Sequence, residues 1–137
     1  GGSLVNTRNL VSNTGVIAGD ASGVGTVRYG VAGCSYGSSG TGIYAFGYVP
    51  AGSINLSNLL SNTGVVASDT SGVGTARTFS AASRYGGDKG IFGFGAQVPA
   101  TTNISNKVNS SGVVASDTTG VGTARYELAA CGFSSSA

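Results

Sequence analysis

The sequence contains no histidine, no methionine and no tryptophan, and its 137 residues include only two cysteines and two prolines. The absence of histidine removes the commonest general base and a preferred ligand of copper and zinc. A serine or cysteine nucleophile would therefore lack its usual partner, and only five Asp and Glu residues are present. We expect that the protein is not an enzyme, with no catalytic residues, no cofactor and no metal.

Charge is also scarce, because Lys, Arg, Asp and Glu together make up 9% of the chain and the formal net charge is +2. Nucleic-acid binding needs a clustered basic face, and these charges are spread thinly along the sequence. No apolar run approaches the roughly 18 residues that a membrane-spanning helix needs. We predict no nucleic-acid partner and no membrane span.

Glycine, in contrast, is abundant, with 25 residues, and 40% of the chain is hydrophobic. The low net charge and the regular patches of β-branched and aromatic residues argue against a disordered chain. The sequence predicts an ordered all-β protein with glycine turns and a thin core.

One motif occurs three times in the sequence. It occurs as SNTGVIAGDASGVGTVR in motif 1 (residues 12–28), as SNTGVVASDTSGVGTAR in motif 2 (residues 61–77) and as NSSGVVASDTTGVGTAR in motif 3 (residues 109–125). A period of about 48 residues is typical of propellers, solenoids and repeat arrays.

Two charged residues recur at fixed places in the motif, an acid before the glycines and a closing arginine. They are Asp20, Asp69 and Asp117, and Arg28, Arg77 and Arg125. A single carboxylate per loop is too few oxygens for Ca²⁺, and the acid suits a turn that its side chain caps. For the arginines we favour structural pairing with the Asp of the same motif or of the next repeat over an anion site around a channel.

Each period contains four short strand candidates separated by turn residues. Examples are RYGVAGCSYG, GIYAFGYV, SINLSNLL and TGVVASD. Four strands in about 48 residues is the size of a propeller blade.

This order of segments resembles a kelch-type β-propeller blade, as in the galactose-oxidase central domain, and similar repeats occur in phage and environmental structural proteins. The usual double glycine is present only as FGY and FGFG, and the usual Trp is missing. The resemblance implies three kelch-like four-stranded blade repeats with incomplete terminal blades. The expected units are a half blade at residues 1–28, blades at 29–77 and 78–125, and a terminal inner strand at 126–137. A β-solenoid is the alternative, with repeats that are more often about 20 to 30 residues long.

Three blades do not close a propeller, and each end of the array would expose a sheet edge. We therefore expect self-assembly of a homo-oligomer through complementary half-blades, as a ring or a head-to-tail fibre. The expected function is that of a non-enzymatic structural subunit, extracellular or in a virion. A lectin-like module that binds glycans through tyrosines is the alternative.

Two further features bear on this expectation. Cys34 and Cys131 occupy the same position of the repeat, and they are predicted either as buried thiols or as a disulfide, within one chain or between subunits. Three sequons, at Asn55, Asn103 and Asn109, would carry glycans only if the protein is exported through a glycosylating pathway.

Overall fold

The computed structural model of the chain describes residues 3–72 and 74–133. The described residues form eight strands and no helix, and every strand pairing is antiparallel. The predicted all-β class is confirmed. It also follows that the described residues contain no apolar helix long enough to cross a membrane.

The strands fall into two three-stranded sheets and one small hairpin. In chain order they are β1 (Ala32–Tyr36), β2 (Thr41–Ala45), β3 (Tyr48–Val49), β4 (Gly52–Ser53), β5 (Ser57–Leu60), β6 (Ala81–Tyr85), β7 (Lys89–Gln97) and β8 (Ala100–Val108). The first sheet has the order β1-β2-β5, the second has the order β6-β7-β8, and β3 pairs with β4. The two sheets thus use equivalent parts of the sequence repeat in the same spatial order.

A phenylalanine in the left-handed region interrupts the middle strand of each sheet. Phe46 has a φ of 64° and ends β2, and the equivalent Phe94 has a φ of 61°. In the second sheet β7 continues past Phe94 with a shift of register between Gly93 and Gly95. A non-glycine residue in this conformation costs on the order of 1 to 3 kcal/mol, so the surrounding packing must hold both rings in place.

The predicted fourth strand of each repeat forms only isolated bridges. Val66 bridges Leu60, and the same bridge joins Val114 to Val108. A second bridge joins Ser57 to Thr70, and between the two bridges the side-chain amide of Asn58 donates to the carbonyl of Ala67 at 3.1 Å. A side chain therefore takes the place of a strand neighbour at this point.

The core lies between the two sheets and is built from small and aromatic side chains. Its buried members are Ala32, Tyr36, Ile43, Ala45, Phe46, Phe92, Val108 and Val114. The rings of Phe46 and Phe92 meet edge to face at 5.4 Å and 79°, a geometry that aromatic pairs prefer. This contact joins the middle strands of the two sheets.

Candidate functional site at the repeat junctions

Each motif folds back on an asparagine that lies three residues before the motif begins. The Nδ2 group of Asn58 donates to the carbonyl of Ala67 at 3.1 Å and to Oδ1 of Asp69 at 2.8 Å. The same two bonds recur in the other motifs, from Asn9 to Ala18 and Asp20 and from Asn106 to Ala115 and Asp117. The repeated Asp is therefore oriented first by an asparagine of its own repeat.

A second asparagine closes the glycine loop of the motif. The Nδ2 group of Asn55 donates to the carbonyl of Gly74 at 3.0 Å, and a side chain at Gly72 would overlap the backbone carbonyl of Asn55. The equivalent bonds run from Asn6 to Gly25 and from Asn103 to Gly122. This close approach of two backbones requires glycine.

The Asp of one motif is held by the threonine of the preceding motif. Oδ2 of Asp69 accepts hydrogen bonds from the backbone N–H of Thr26 at 2.8 Å and from its hydroxyl at 2.7 Å. Thr75 binds Oδ2 of Asp117 in the same way, at 3.0 and 2.6 Å. We call this pair of Thr–Asp bonds the junction contact, because it ties each motif to the next.

Arg28 adds a cation to the first junction contact. Its Nη2 donates to Oδ1 of Asn58 at 2.5 Å, and its Nη1 lies 3.5 Å from Oδ1 of Asp69. Of the two pairings that the sequence left open, this arginine takes the Asp of the next motif.

The charges at the junctions depend on these bonds. Burial by itself raises the pKa of Asp69, but the hydrogen bonds from Thr26 and Asn58 and the charge of Arg28 outweigh it, so the pKa is lowered overall. The pKa of Asp117 is lowered by the equivalent set of groups, again against the effect of burial. Both carboxylates are consequently ionised at neutral pH.

Arg77 lies between the two sheets and is fully buried. Its Nε donates to the carbonyl of Phe94 at 2.9 Å and its Nη1 to the carbonyl of Thr75 at 3.3 Å, while its guanidinium lies 3.7 Å above the ring of Phe46. No Asp of the described chain lies within ion-pair distance of it. Burial lowers the pKa of Arg77 to about 10, so the group remains a cation at neutral pH.

Arg125 repeats part of this arrangement at the other end of the second sheet. Its guanidinium lies 3.9 Å above the ring of Phe94, and its carbonyl accepts from the N–H of Gly95 at 3.0 Å. The side chain is nevertheless exposed, because no further repeat covers it among the described residues.

The two cysteines are free thiols, Cys34 half-buried and Cys131 exposed. The sulfur of Cys34 lies against the backbone of Gly90, where a side chain would collide with it. Burial raises the pKa of the Cys34 thiol more than the backbone hydrogen bond with Ile91 lowers it. The structure therefore contains no bond between the two cysteines of one chain, and a bond between subunits stays a prediction.

The three sequon asparagines are in different situations. The amide nitrogens that would carry a glycan at Asn55 and Asn103 are already donors to glycine carbonyls, at 3.0 and 2.8 Å. Asn109 is exposed, and its Oδ1 accepts from the backbone N–H groups of Ser111 and Val113, both at 2.9 Å. Of the three, Asn109 leaves its amide nitrogen most accessible, and glycosylation itself stays a prediction.

The structure adds residues that the charge pattern alone did not single out. These are the asparagines at 9, 58 and 106 and the threonines at 26 and 75, which bind the repeated Asp. The signal was present, since these residues recur in frame with the motif. The sequence alone gave no reason to predict that they bind the Asp, because side-chain amides and hydroxyls are common in turns and loops.

Two cavities among the described residues lie beside the first and last arginine of the repeat. One, of about 480 Å³, is lined by Phe94, Arg125 and Leu128 among others. The other, of about 340 Å³, is lined by Arg28, Tyr44 and Val66 among others. No group of three or more His, Cys, Asp or Glu side chains that could hold a metal occurs among the residues that the structure describes.

No protein-family model matches this sequence, and no curated protein matches it either.

Proposed function

We propose that this protein is a non-enzymatic structural subunit that self-assembles into an extracellular fibre or a virion-associated assembly. The observation that carries the proposal is the repetition of the junction contact. The bond set that ties motif 1 to motif 2 is used again, nearly unchanged, between motifs 2 and 3. A contact that a chain uses twice in series is one that a further copy can use at either end.

Exposed apolar residues at motif 1 support the proposal. Ile17 is 68% exposed, whereas the equivalent Val66 and Val114 are 8% and 9% exposed. Leu4, Val5, Leu10, Val11 and Val16 are exposed in the same region. Exposed apolar side chains concentrated in one segment of the chain are typical of an interaction site.

The sheet order supports a contact through the motif loops of the half-blades. Residues 126–133 match the sequence of β1 and β6, and residues 6–11 match that of β5 and β8. Because β2 and β7 lie between those strands in the sheets, the two terminal segments are not direct neighbours in a combined blade. We therefore place the contact between complementary half-blades in the motif loops.

The proposal is tested by the state of the purified protein at micromolar concentration. Light scattering after size exclusion should give a mass that rises with concentration, and electron micrographs should show rings or fibres. A monomer that persists over this range would overturn the proposal.

An aromatic row favours a second candidate, a lectin-like glycan-binding module. The rings of Tyr48, Tyr29, Phe79 and Tyr126 follow one another with centroid distances of 5.4, 6.0 and 6.2 Å. Tyr29 and Tyr126 are 42% and 48% exposed, and exposed aromatic faces are suited to stacking on sugar rings. A glycan array probed with the assembled protein should then show binding that Tyr29→Ala weakens. An array without binding would remove this candidate.

A further inference from the structure

The glycine before each junction threonine lies against the Asn–Asp pair of the next motif. A side chain at Gly25 would strike Asp69 and Asn58, and one at Gly74 would strike Asp117 and Asn106. The φ values of the two glycines are 91° and 96°. The loop thus forms a surface that an Asn–Asp pair fills.

Gly122 has the same conformation, with a φ of 93°, but the described chain offers it no Asn–Asp pair. The nearest atom to a side chain placed there is Nη1 of Arg125, at 4.0 Å. The backbone N–H and the hydroxyl of Thr123 have no acceptor among residues 3–72 and 74–133. We call Gly122, Thr123 and Arg125 the donor surface.

The other end of the molecule has the complementary group. Asn9 donates to Oδ1 of Asp20 at 2.8 Å, as its counterparts do in motifs 2 and 3. Asn9 and Asp20 are exposed, whereas Asn58 and Asn106 are fully buried. No threonine of the described chain binds the carboxylate of Asp20. We call Asn9 and Asp20 the acceptor surface.

We infer that the donor surface of one subunit binds the acceptor surface of a second copy of this chain. The N–H and hydroxyl of Thr123 donate to the Asp20 carboxylate, as Thr26 donates to Asp69 within the chain. Arg125 then faces Asn9 and Asp20, as Arg28 faces Asn58 and Asp69. The two surfaces differ, so the contact is head-to-tail and each subunit has one of each.

The partner that fills each surface is a second copy of this chain, because the two internal junctions show which groups each surface accepts. Both use an Asn–Asp pair against a Gly–Thr backbone, and the unfilled surfaces present those same residue types. The charges are also opposite, since Asp20 is an acid and Arg125 a base. This inference rests on the proposed function and adds the atoms that make the assembly.

Two variants each remove one surface and leave the other intact. Asp20→Ala deletes the acceptor, and Thr123→Val deletes the hydroxyl donor and adds a methyl group in its place. Truncating one partner of a desolvated charge–hydrogen-bond pair weakens binding strongly, so each variant alone should need about tenfold or more higher concentration to assemble. Both should keep the unfolding temperature of the monomer, because neither side chain takes part in a junction contact within the chain.

A mixture of the two variants is the decisive measurement. Asp20→Ala keeps an intact donor surface and Thr123→Val keeps an intact acceptor surface, so one good contact forms per pair of chains. The mixture should give a one-to-one heterodimer that does not extend. Asp88→Ala removes a carboxylate from a half-buried position beside Lys89, and Thr101→Val removes a hydroxyl from an exposed position. Both should assemble like the unmodified protein.

The outcomes separate the inference from the proposed function. If the unmodified protein assembles and either surface variant assembles equally well, this contact is wrong and self-assembly stands. If the mixture forms extended assemblies or no heterodimer, the head-to-tail pairing is wrong. If the unmodified protein stays monomeric, both are overturned.

Discussion

Motif 1 and motif 2 have nearly the same sequence and the same internal hydrogen bonds, yet one is exposed and the other is packed. The turn of motif 1, with Ser12 accepting from Val16 at 3.0 Å, is reproduced in motif 2 by Ser61 and Val65 at 3.0 Å. Asn9 is exposed while Asn58 is fully buried. The motif therefore determines its own loop, and the neighbouring repeat determines whether that loop is buried.

The difference follows from which neighbours each motif has within the chain. Motif 2 follows the first sheet and receives Thr26 and Arg28 from motif 1. Motif 1 is preceded by no sheet in the described chain. The hydrogen bonds within one motif add modestly to stability, whereas junctions that bury aromatic and apolar groups add more.

The largest effect should come from a glycine that the internal loop requires. Gly72→Ala places a methyl group on the backbone carbonyl of Asn55, whereas Gly19→Ala meets no atom within 4 Å. Overpacking typically costs about 1 to 3 kcal/mol and occasionally more. Because the overlap at Gly72 is with backbone, Gly72→Ala should lower the free energy of unfolding by an amount at or above the upper end of that range. Chemical denaturation of both variants measures it. Equal stability of the two would mean that the loop is not packed as described.

The next effect should come from the buried arginine. Arg77→Ala removes the cation above Phe46 and leaves the carbonyls of Phe94 and Thr75 without their donor, at a cost of about 2 to 4 kcal/mol. Arg125→Ala is the matched control, because its side chain covers Phe94 from an exposed position. It should cost less than about 1 kcal/mol in the monomer. A thermal melt that ranks the two variants in the opposite order would contradict the role of Arg77 in joining the sheets.

Acid should weaken the junctions in a defined pH range. The pKa values of Asp69 and Asp117 are lowered in the folded state, so the unfolded chain binds more protons once the pH falls to the ordinary carboxylate pKa of about 3.9. The stabilisation is complete above that pH and is lost as the pH falls through the folded-state values.

The acid prediction has its own pair of variants. Thr26→Val deletes the hydroxyl donor to Asp69 and should reduce the loss of melting temperature on acidification. Thr101→Val, which removes an exposed hydroxyl elsewhere, should leave that loss unchanged. If the two variants respond to acid alike, the junction contact is not the source of the pH dependence.

The smallest expected effect concerns the thiols and leaves stability unchanged. Iodoacetamide should modify the exposed Cys131 faster than Cys34, because Cys34 is half-buried and burial raises its pKa. Mass spectrometry of partly alkylated protein measures the order. Non-reducing electrophoresis of the assembly then tests the predicted bond between subunits, and a covalent ladder would require Cys34 to leave its place against Gly90.

The fold class was predictable from the sequence, but the details of the sheets were not. Alternating apolar residues around Ile43 and Ile91 predicted the middle strands, and glycine turns predicted their hairpins. The break at Phe46 was unexpected because a left-handed phenylalanine opposes local preference, and its partners Arg77 and Phe92 are distant in the sequence. The sequence predicted a fourth strand where the structure has only isolated bridges, and it does not reveal that the side chain of Asn58 binds the Ala67 carbonyl.

The repeated loop could be predicted from the sequence alone, since the glycines, the Asn–Asp pair and the threonine that build it all lie within one period. The sequence also determined that charge is scarce and that histidine chemistry is absent. Which repeat each charged group faces depends on the folded arrangement of the repeats, because Thr26 and Asp69 are 43 residues apart and no local contact brings them together. Burial also depends on the tertiary structure, because Ile17 and Val66 hold the same place in the motif and yet Ile17 is exposed while Val66 is buried.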